Sequence, residues 1–476
     1  MPEGGLPAIL IRGGTVIDAD GERRADVLID GEKIASVGLD LAAPRGTDII
    51  DAGGAYVIPG AIDVHTHFDL AVGAVRSADD FTSGTVAAAC GGTTCIIDFA
   101  GAGREPWTDA LAAWHAKADS RAVVDYGFHL TVTELPERLE EARARFREFI
   151  EQGVTSVKLY MAYPERLMVD DATLAQALAA SLDTGMRVCV HAEEGFDIER
   201  RKAAALEAGR TDPGAIPDVR PPGVEAAAIT RASELARQTG AQLYVVHLSS
   251  AVGLRAVVAA RAAGADVRAE TCPQYLYLDQ GRLADSDTGQ DFVCSPPVRQ
   301  EPDREALWAG LAADLDLVST DHCPFMRADR RHGTAVRSGG WRDFTEIPGG
   351  LPGVETRLSL VYQGVTTGRL TLERWVDLVT GAPARMFGLS GRKGVLRPGF
   401  DADVVVFDPT TRRRLDSGEL HSRSDHSPYE GMEVLGGAAL TLSRGRVVAK
   451  DGKPADVMPG WGSFLAREPM PGRRSS

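Results

Sequence analysis

Two histidines one residue apart, His65-Thr66-His67, close the apolar run that begins at Ala61. Side chains alternate along an extended chain, so both imidazoles fall on one side and can share a metal ion, although an H-x-H step also occurs in plain polar loops. Lys158 lies within Ser156-Val157-Lys158-Leu159-Tyr160, where an inward ammonium is costly without a partner. Burial lowers lysine basicity, and a neutral amine can add carbon dioxide to form a carbamate whose two oxygens bridge two cations. The alternative is a lysine that snorkels to solvent. His191, after Val188-Cys189-Val190, and His247, after Tyr244-Val245-Val246, each end an apolar run, and singly each reads more readily as a hydrogen-bonded histidine than as a ligand. Asp321, in Val318-Ser319-Thr320-Asp321-His322, offers a carboxylate that can bind metal and move a proton, or cap a helix. Four imidazoles, one lysine and one aspartate, each at or near the end of an apolar run, exceed what chance placement would supply.

The runs that must hold these groups alternate with Ala-rich stretches between about Pro59 and Gly394, the pattern of βα units. The expected strands are Ala61 to His65, Thr94 to Phe99, Tyr126 to Val132, Ser156 to Tyr160, Arg187 to His191, Gln242 to His247, Asp266 to Glu270 and Leu315 to Thr320. Eight is the number a (β/α)8 TIM barrel requires, and barrel active sites lie at the C-terminal ends of the strands. Pro136 to Gln152, Leu174 to Thr184, Val224 to Thr239 and Gly253 to Ala263 carry apolar residues at helical spacing. The two chain ends differ in texture. Ile9 to Arg12, Asp26 to Ile29 and Ile34 to Val37 at one end, and Ala402 to Phe407 and Ala439 to Leu442 at the other, are short β-rich runs. They are punctuated by Gly13-Gly14, Asp30-Gly31, Gly445 and Asp451-Gly452, read as turns. The expected α/β organisation is therefore a β-sandwich domain from residues 1–58 plus 395–460, a catalytic barrel over 59–394, and a tail at 461–476, polar from about Arg467 and either mobile or draped on a neighbour.

The chain has 52 Lys plus Arg against 67 Asp plus Glu, a net charge of −15, which argues against nucleic acid or an anionic membrane as partner. Met1-Pro2-Glu3-Gly4-Gly5-Leu6 lacks a basic n-region, and no apolar run reaches the ~18 residues of a membrane span, so a cytoplasmic location is expected. Cys90, Cys95, Cys189, Cys272, Cys294 and Cys323 contain no C-x-x-C spacing and read as reduced core residues.

Gly60-Ala61-Ile62-Asp63-Val64-His65-Thr66-His67, Val157 to Tyr163, His191-Ala192-Glu193, His247-Leu248-Ser249-Ser250 and Thr320 to Phe325, in this order, resemble the dihydropyrimidinase and hydantoinase branch of the cyclic amidohydrolases. The likeness runs from the N-terminal strands through Pro428-Tyr429-Glu430-Gly431-Met432. It implies two divalent cations, zinc by family habit, held by His65, His67, carboxylated Lys158, His191, His247 and Asp321 with a hydroxide between them. It also implies a small cyclic amide as substrate, Asp321 as the proton carrier, Tyr163 as donor to the developing oxyanion, and a homotetramer. Ser295, in Cys294-Ser295-Pro296-Pro297, matches the position that holds the substrate ring through main-chain groups. Strand alternation places Tyr160 on the face of Lys158, where with Leu70-Ala71-Val72 it would enclose the ring substituent.

Two departures stand out. Pro348-Gly349-Gly350 replaces the family's Pro-Asn-Gly, putting Gly349 at a substrate contact, and the charged stretch 326–342 is longer than usual. Asp69 stands where dihydroorotase-like relatives carry an arginine for a substrate carboxylate, which disfavours an anionic ring. An allantoinase-like activity and a non-enzymatic scaffold are the remaining alternatives; the presence of all six ligands argues against the scaffold.

Overall fold

The structure, a computed structural model, describes residues 6–18, 21–101, 103–164, 166–331, 342–456 and 459–471. Eight parallel strands form one sheet in sequential order: Ala61–Thr66, Thr93–Ala100, Asp125–Thr131, Ser156–Tyr160, Arg187–His191, Gln242–Val245, Asp266–Thr271 and Leu317–Val318. Every expected strand is present. Those expected to reach His247 and Thr320 end earlier because His247 (φ 39°) and Asp321 (φ 52°) adopt left-handed backbone, which an extended chain cannot continue. The seam between the first and eighth strands is closed by a bridge from Thr66 to His322. Beside it Thr320 Oγ1 donates to Asp63 (2.7 Å), and the buried Arg357 guanidinium donates to Ile62 O (2.8 Å) and Val318 O (2.9 Å).

The barrel interior is filled by Ile62, Val64, Ile97, Cys189, Tyr244, Val246 and Leu317, with Phe387, Leu389 and Leu465 packed at its floor. Helices Leu139–Glu151, Asp171–Thr184, Pro222–Thr239 and Ala251–Ala262 lie where helical spacing predicts them. All six cysteines are free and buried. Among the described residues no helix is long and apolar enough to cross a membrane.

The two ends of the chain combine in a mixed nine-stranded sheet, in which Tyr56–Pro59 pairs with both Ile9–Asp18 and Val404–Arg414. Its core is Ile9, Ile11, Val16, Val27, Ile29, Val57, Val404, Val406 and Leu442. Gly13-Gly14, expected as a turn, is instead a bulge inside the strand Ile9–Asp18: Gly13 takes φ 78° and its N–H donates to Asp26. Sheet and barrel meet at a buried ionic joint, where Lys393 Nζ contacts Asp125 (2.9 Å), Asp401 (3.3 Å) and Asp403, and Asp403 also accepts from Thr94 (3.0 Å).

The segment after Trp461 packs on its own chain: residues 462–470 run along the barrel's underside. Leu465 N donates to Tyr126 O (2.7 Å), and Arg467, 3% exposed, inserts its guanidinium against Phe128 O and Ser156 Oγ. Burial pulls its pKa down to about 10, and Nε and Nη1 have no hydrogen-bond partner among the described residues. Arg473 and Arg474 lie outside the described residues, as do positions 332–341 of the long stretch 326–342.

Candidate metal centre at the barrel mouth

Strand direction delivers the six expected ligands to one place. His65 Nε2 and His67 Nε2 each lie 3.0 Å from Asp321 Oδ1, and Lys158 Nζ lies 3.1 Å from His65 Nε2. The His247 ring sits 5.4 Å from that of His65 and 4.6 Å from that of His191. All six side chains are buried or nearly so. Thr66, between the two histidines, points the other way and donates to Asp98 (2.8 Å), which also accepts from Phe68 N and Trp114 Nε1. That anchorage fixes the H-x-H step. Burial pushes Asp98 up to about 7 against those three donors.

Burial favours the neutral imidazole at three of the four histidines. Burial takes His67 down to about 4 although Asp321 opposes, and it also lowers His191 and His247. Burial and Lys158 pull His65 down, but Asp321 and Glu270 outweigh them and hold it above the ordinary value. Burial lowers the Lys158 amine, and Asp321 and Glu270 only partly offset this. Lys158 lies over the Phe99 ring at 4.1 Å and forms no ion pair among the described residues. Asp321 sits well below the usual carboxylate range: burial raises it, and His65 and His67 more than compensate.

The donor set fits divalent cations. His67 Nδ1 is buried without a hydrogen-bond partner, and His65, His67 and Asp321 bring ligand atoms within 4.8 Å of one another. Behind them, Glu270 Oε1 accepts from His65 Nδ1 at 2.6 Å, which directs Nε2 to the site, and its other oxygen accepts from Tyr244 OH (2.8 Å). Glu193 binds His191 Nε2 at 2.8 Å, which leaves Nδ1 of that ring available. Glu193 also pairs with Arg220, whose guanidinium lies 5.0 Å from the Tyr163 ring centre. Burial opposes the Arg220 charge, but Glu193 and Tyr163 hold its pKa above the ordinary arginine value.

The rim residues are also close to one another. Tyr163 takes φ 64° at a turn where its carbonyl accepts from Leu167 N (3.0 Å) and Met168 N (3.1 Å). Tyr163, His247 and Asp321 thus share left-handed backbone, a cost that non-glycine residues bear chiefly at functional sites. Tyr160 stacks on His191 at 5.6 Å and meets Tyr163 edge-on at 6.2 Å, on the face of Lys158 as strand alternation requires. Ser295 and Gly349 are neighbours: a Cβ at Gly349 would sit 3.7 Å from Ser295 Oγ, so there is space for a side chain there. Buried Arg330 ties the two loops together through Gln290 O (2.6 Å), Val293 O (3.4 Å) and Gly350 O. Leu70-Ala71-Val72 forms part of a small hairpin with Val75–Arg76. Asp69, by contrast, is tied to Arg76 (3.1 Å) and to Lys117.

Sequence reasoning assigned no role to Glu193, Arg220, Glu270 or Arg330. Glu270 was visible as a carboxylate ending an apolar strand, and Glu193 as the third residue of His191-Ala192-Glu193. Arg220 and Arg330 have no local signal, because their partners are far away in sequence.

A parallel eight-stranded barrel with this mouth defines a TIM-barrel enzyme with a divalent-metal centre. The amidohydrolase family model matches residues 56–458. The D-hydantoinase of Geobacillus stearothermophilus is 42% identical over 463 residues, covering 96% of each chain, and a D-phenylhydantoinase of Escherichia coli is 41% identical, covering 97% of this chain and 98% of its own. The crystal structure of a dihydropyrimidinase from Brevibacillus agri superposes with a TM-score of 0.92 at 40% identity, covering 98% of this chain and 99% of that one. The chain belongs to the amidohydrolase family, in the branch of hydantoinases and dihydropyrimidinases.

Proposed function

We propose that this protein opens the cyclic amide of dihydropyrimidines or 5-substituted hydantoins to give N-carbamoyl amino acids. The observation that carries the reading is the convergence of His65, His67, Lys158, His191, His247 and Asp321 at the mouth of a barrel whose relatives are named hydantoinases. In this reading those six residues hold two divalent ions, taken as Zn2+, with Lys158 carboxylated by carbon dioxide. When bound, the ions supply a hydroxide nucleophile at neutral pH and polarise the amide carbonyl.

The chain's own groups do the rest. Asp321 takes the nucleophile's proton and returns it to the leaving ring nitrogen, a transfer suited to a carboxylate held between two imidazoles. Tyr163 donates to the carbonyl oxygen as charge develops on it, and Arg220 fixes its ring. Main-chain groups at Ser295 and Gly349 grip the ring, and Tyr160 walls the substituent side. Asp69 itself is an acidic group at that position, paired with Arg76 and Lys117, which disfavours an anionic ring. The reading assigns catalysis to residues 59–394, an accessory sandwich to 1–58 with 395–460, and a tail to 461–476. It includes a homotetramer and a cytoplasmic location, which the six free cysteines suit.

The test is a hydrolysis panel on zinc-loaded protein with dihydrouracil, dihydrothymine, hydantoin, a phenylhydantoin, allantoin and dihydroorotate. N-carbamoyl product from any of the first four supports the reading. Turnover of allantoin or dihydroorotate alone, or of none, overturns it, and the last outcome favours a scaffold.

A further inference from the structure

Away from the barrel mouth, three further ligating side chains converge: Cys90, Glu355 and His421 bring one donor atom each within 4.8 Å of one another. They come from distant parts of the chain. Cys90 is the last residue of the helix Phe81–Cys90, Glu355 precedes the helix Arg357–Thr366, and His421 lies between the strands Val404–Arg414 and Glu433–Ser443. Cys90 and Glu355 are buried, and His421 is partly exposed. The approach is close enough that a Cβ at Gly91 would collide with the Glu355 main chain. His421 N donates to Glu355 Oε2 (2.7 Å) and its Nδ1 lies 3.0 Å from Oε1, so the carboxylate is already oriented. A small cleft of about 10 Å³ lined by His322, Gly353, Glu355, Leu420 and Ser422 borders Glu355 without including Cys90 or His421.

We propose that Cys90, Glu355 and His421 bind one thiophilic divalent cation such as Zn2+, at a site distinct from the barrel mouth. Thiolate, imidazole and carboxylate together are the donors such an ion selects. The C-terminal end of the helix that carries Cys90 adds a negative dipole directed at it. Binding takes the thiol as thiolate, with its proton released to solvent as the sulfur–metal bond forms. The bound ion would tie the barrel to the loop between two strands of the end-built sheet. Arg413, whose Nη2 stands 4.0 Å from Glu355 Oε1, is the cation that serves the carboxylate otherwise, and its side chain is exposed enough to swing aside. The proposal does not depend on the hydrolytic reading.

Full-length protein, stripped with chelator and reloaded with Co2+, provides the test. A near-ultraviolet thiolate-to-cobalt charge-transfer band is expected in the native sequence, because no proposed ligand at the barrel mouth is a cysteine. Cys90→Ser should lose the band and hold about one ion fewer per chain, while Cys323→Ser should keep both. His421→Ala, at a partly exposed position, carries the same test should Cys90→Ser not fold. Absence of the band at saturating Co2+, or a band unchanged in both variants, overturns the site.

Discussion

The Arg220 guanidinium lies 5.0 Å from the centre of the Tyr163 ring while pairing with Glu193, the carboxylate that also holds His191. One arginine thus couples the expected oxyanion donor to an expected metal ligand. Arg220→Met should lower kcat/KM about 10- to 100-fold, the usual effect of removing an outer partner of such ligands, with kcat falling more than KM rises. Steady-state kinetics beside metal analysis checks this. An unchanged kcat would mean that Tyr163 needs no such support.

Lys158 sits over Phe99 with no ion pair among the described residues, a setting that favours carboxylation. Lys158→Ala should cost ~10³-fold or more in turnover, equivalent to several kcal/mol of transition-state stabilisation, with partial recovery on adding short carboxylic acids. A bare amine in density at Lys158 of a fully metallated crystal would contradict the carbamate.

Because Tyr160 lies between Tyr163 and His191 at the rim, Tyr160→Ala should raise kcat/KM for a phenyl-substituted hydantoin relative to dihydrouracil. The shift should correspond to ~1–3 kcal/mol, the scale on which apolar pockets discriminate, with metal content unchanged. A constant ratio would remove Tyr160 from the pocket wall.

Lys393 neutralises Asp125, Asp401 and Asp403 in the joint between barrel and sheet. Lys393→Met should destabilise the fold by about 3–5 kcal/mol in urea unfolding, since it strands buried carboxylates. Burial raises Asp401, but Lys393, Lys33 and Arg392 outweigh it and hold the group at about 2. A carboxyl depressed in this way stabilises the fold above its unfolded value, ~3.9, and the contribution drains as pH falls through that value toward 2. Acid titration followed by circular dichroism should therefore show Lys393→Met unfolding at a higher pH than the native sequence.

The parts of this molecule that could be read in the sequence are those fixed by local pattern. Apolar runs ending in His65, Lys158-Leu159-Tyr160 and His191 announced both strand and rim, because alternation along a strand links the two. The ends at His247 and Asp321 were overshot, since nothing in either residue type encodes a left-handed backbone. The support around the ligands was also hidden. His65 and Glu270 are 205 positions apart, and each looks like an ordinary polar residue at the end of an apolar run until the barrel brings them together. The place of Arg467 is hidden for the complementary reason: its partners are the Phe128 carbonyl and the Ser156 hydroxyl, and an arginine in a polar tail has no mark to distinguish it from a solvated one.

That insertion of Arg467 bears on how the molecule is made. On a ribosome the eight barrel strands emerge in order, but the plug for their underside follows more than a hundred residues after the last of them. Tyr56–Pro59 likewise waits for Val404–Arg414 before it gains its second neighbour. A nascent chain of this protein therefore carries an unpaired strand edge until Val404–Arg414 emerges and an unsealed barrel until Arg467 does. Such exposed edges and late long-range closures are what slow folding and invite aggregation.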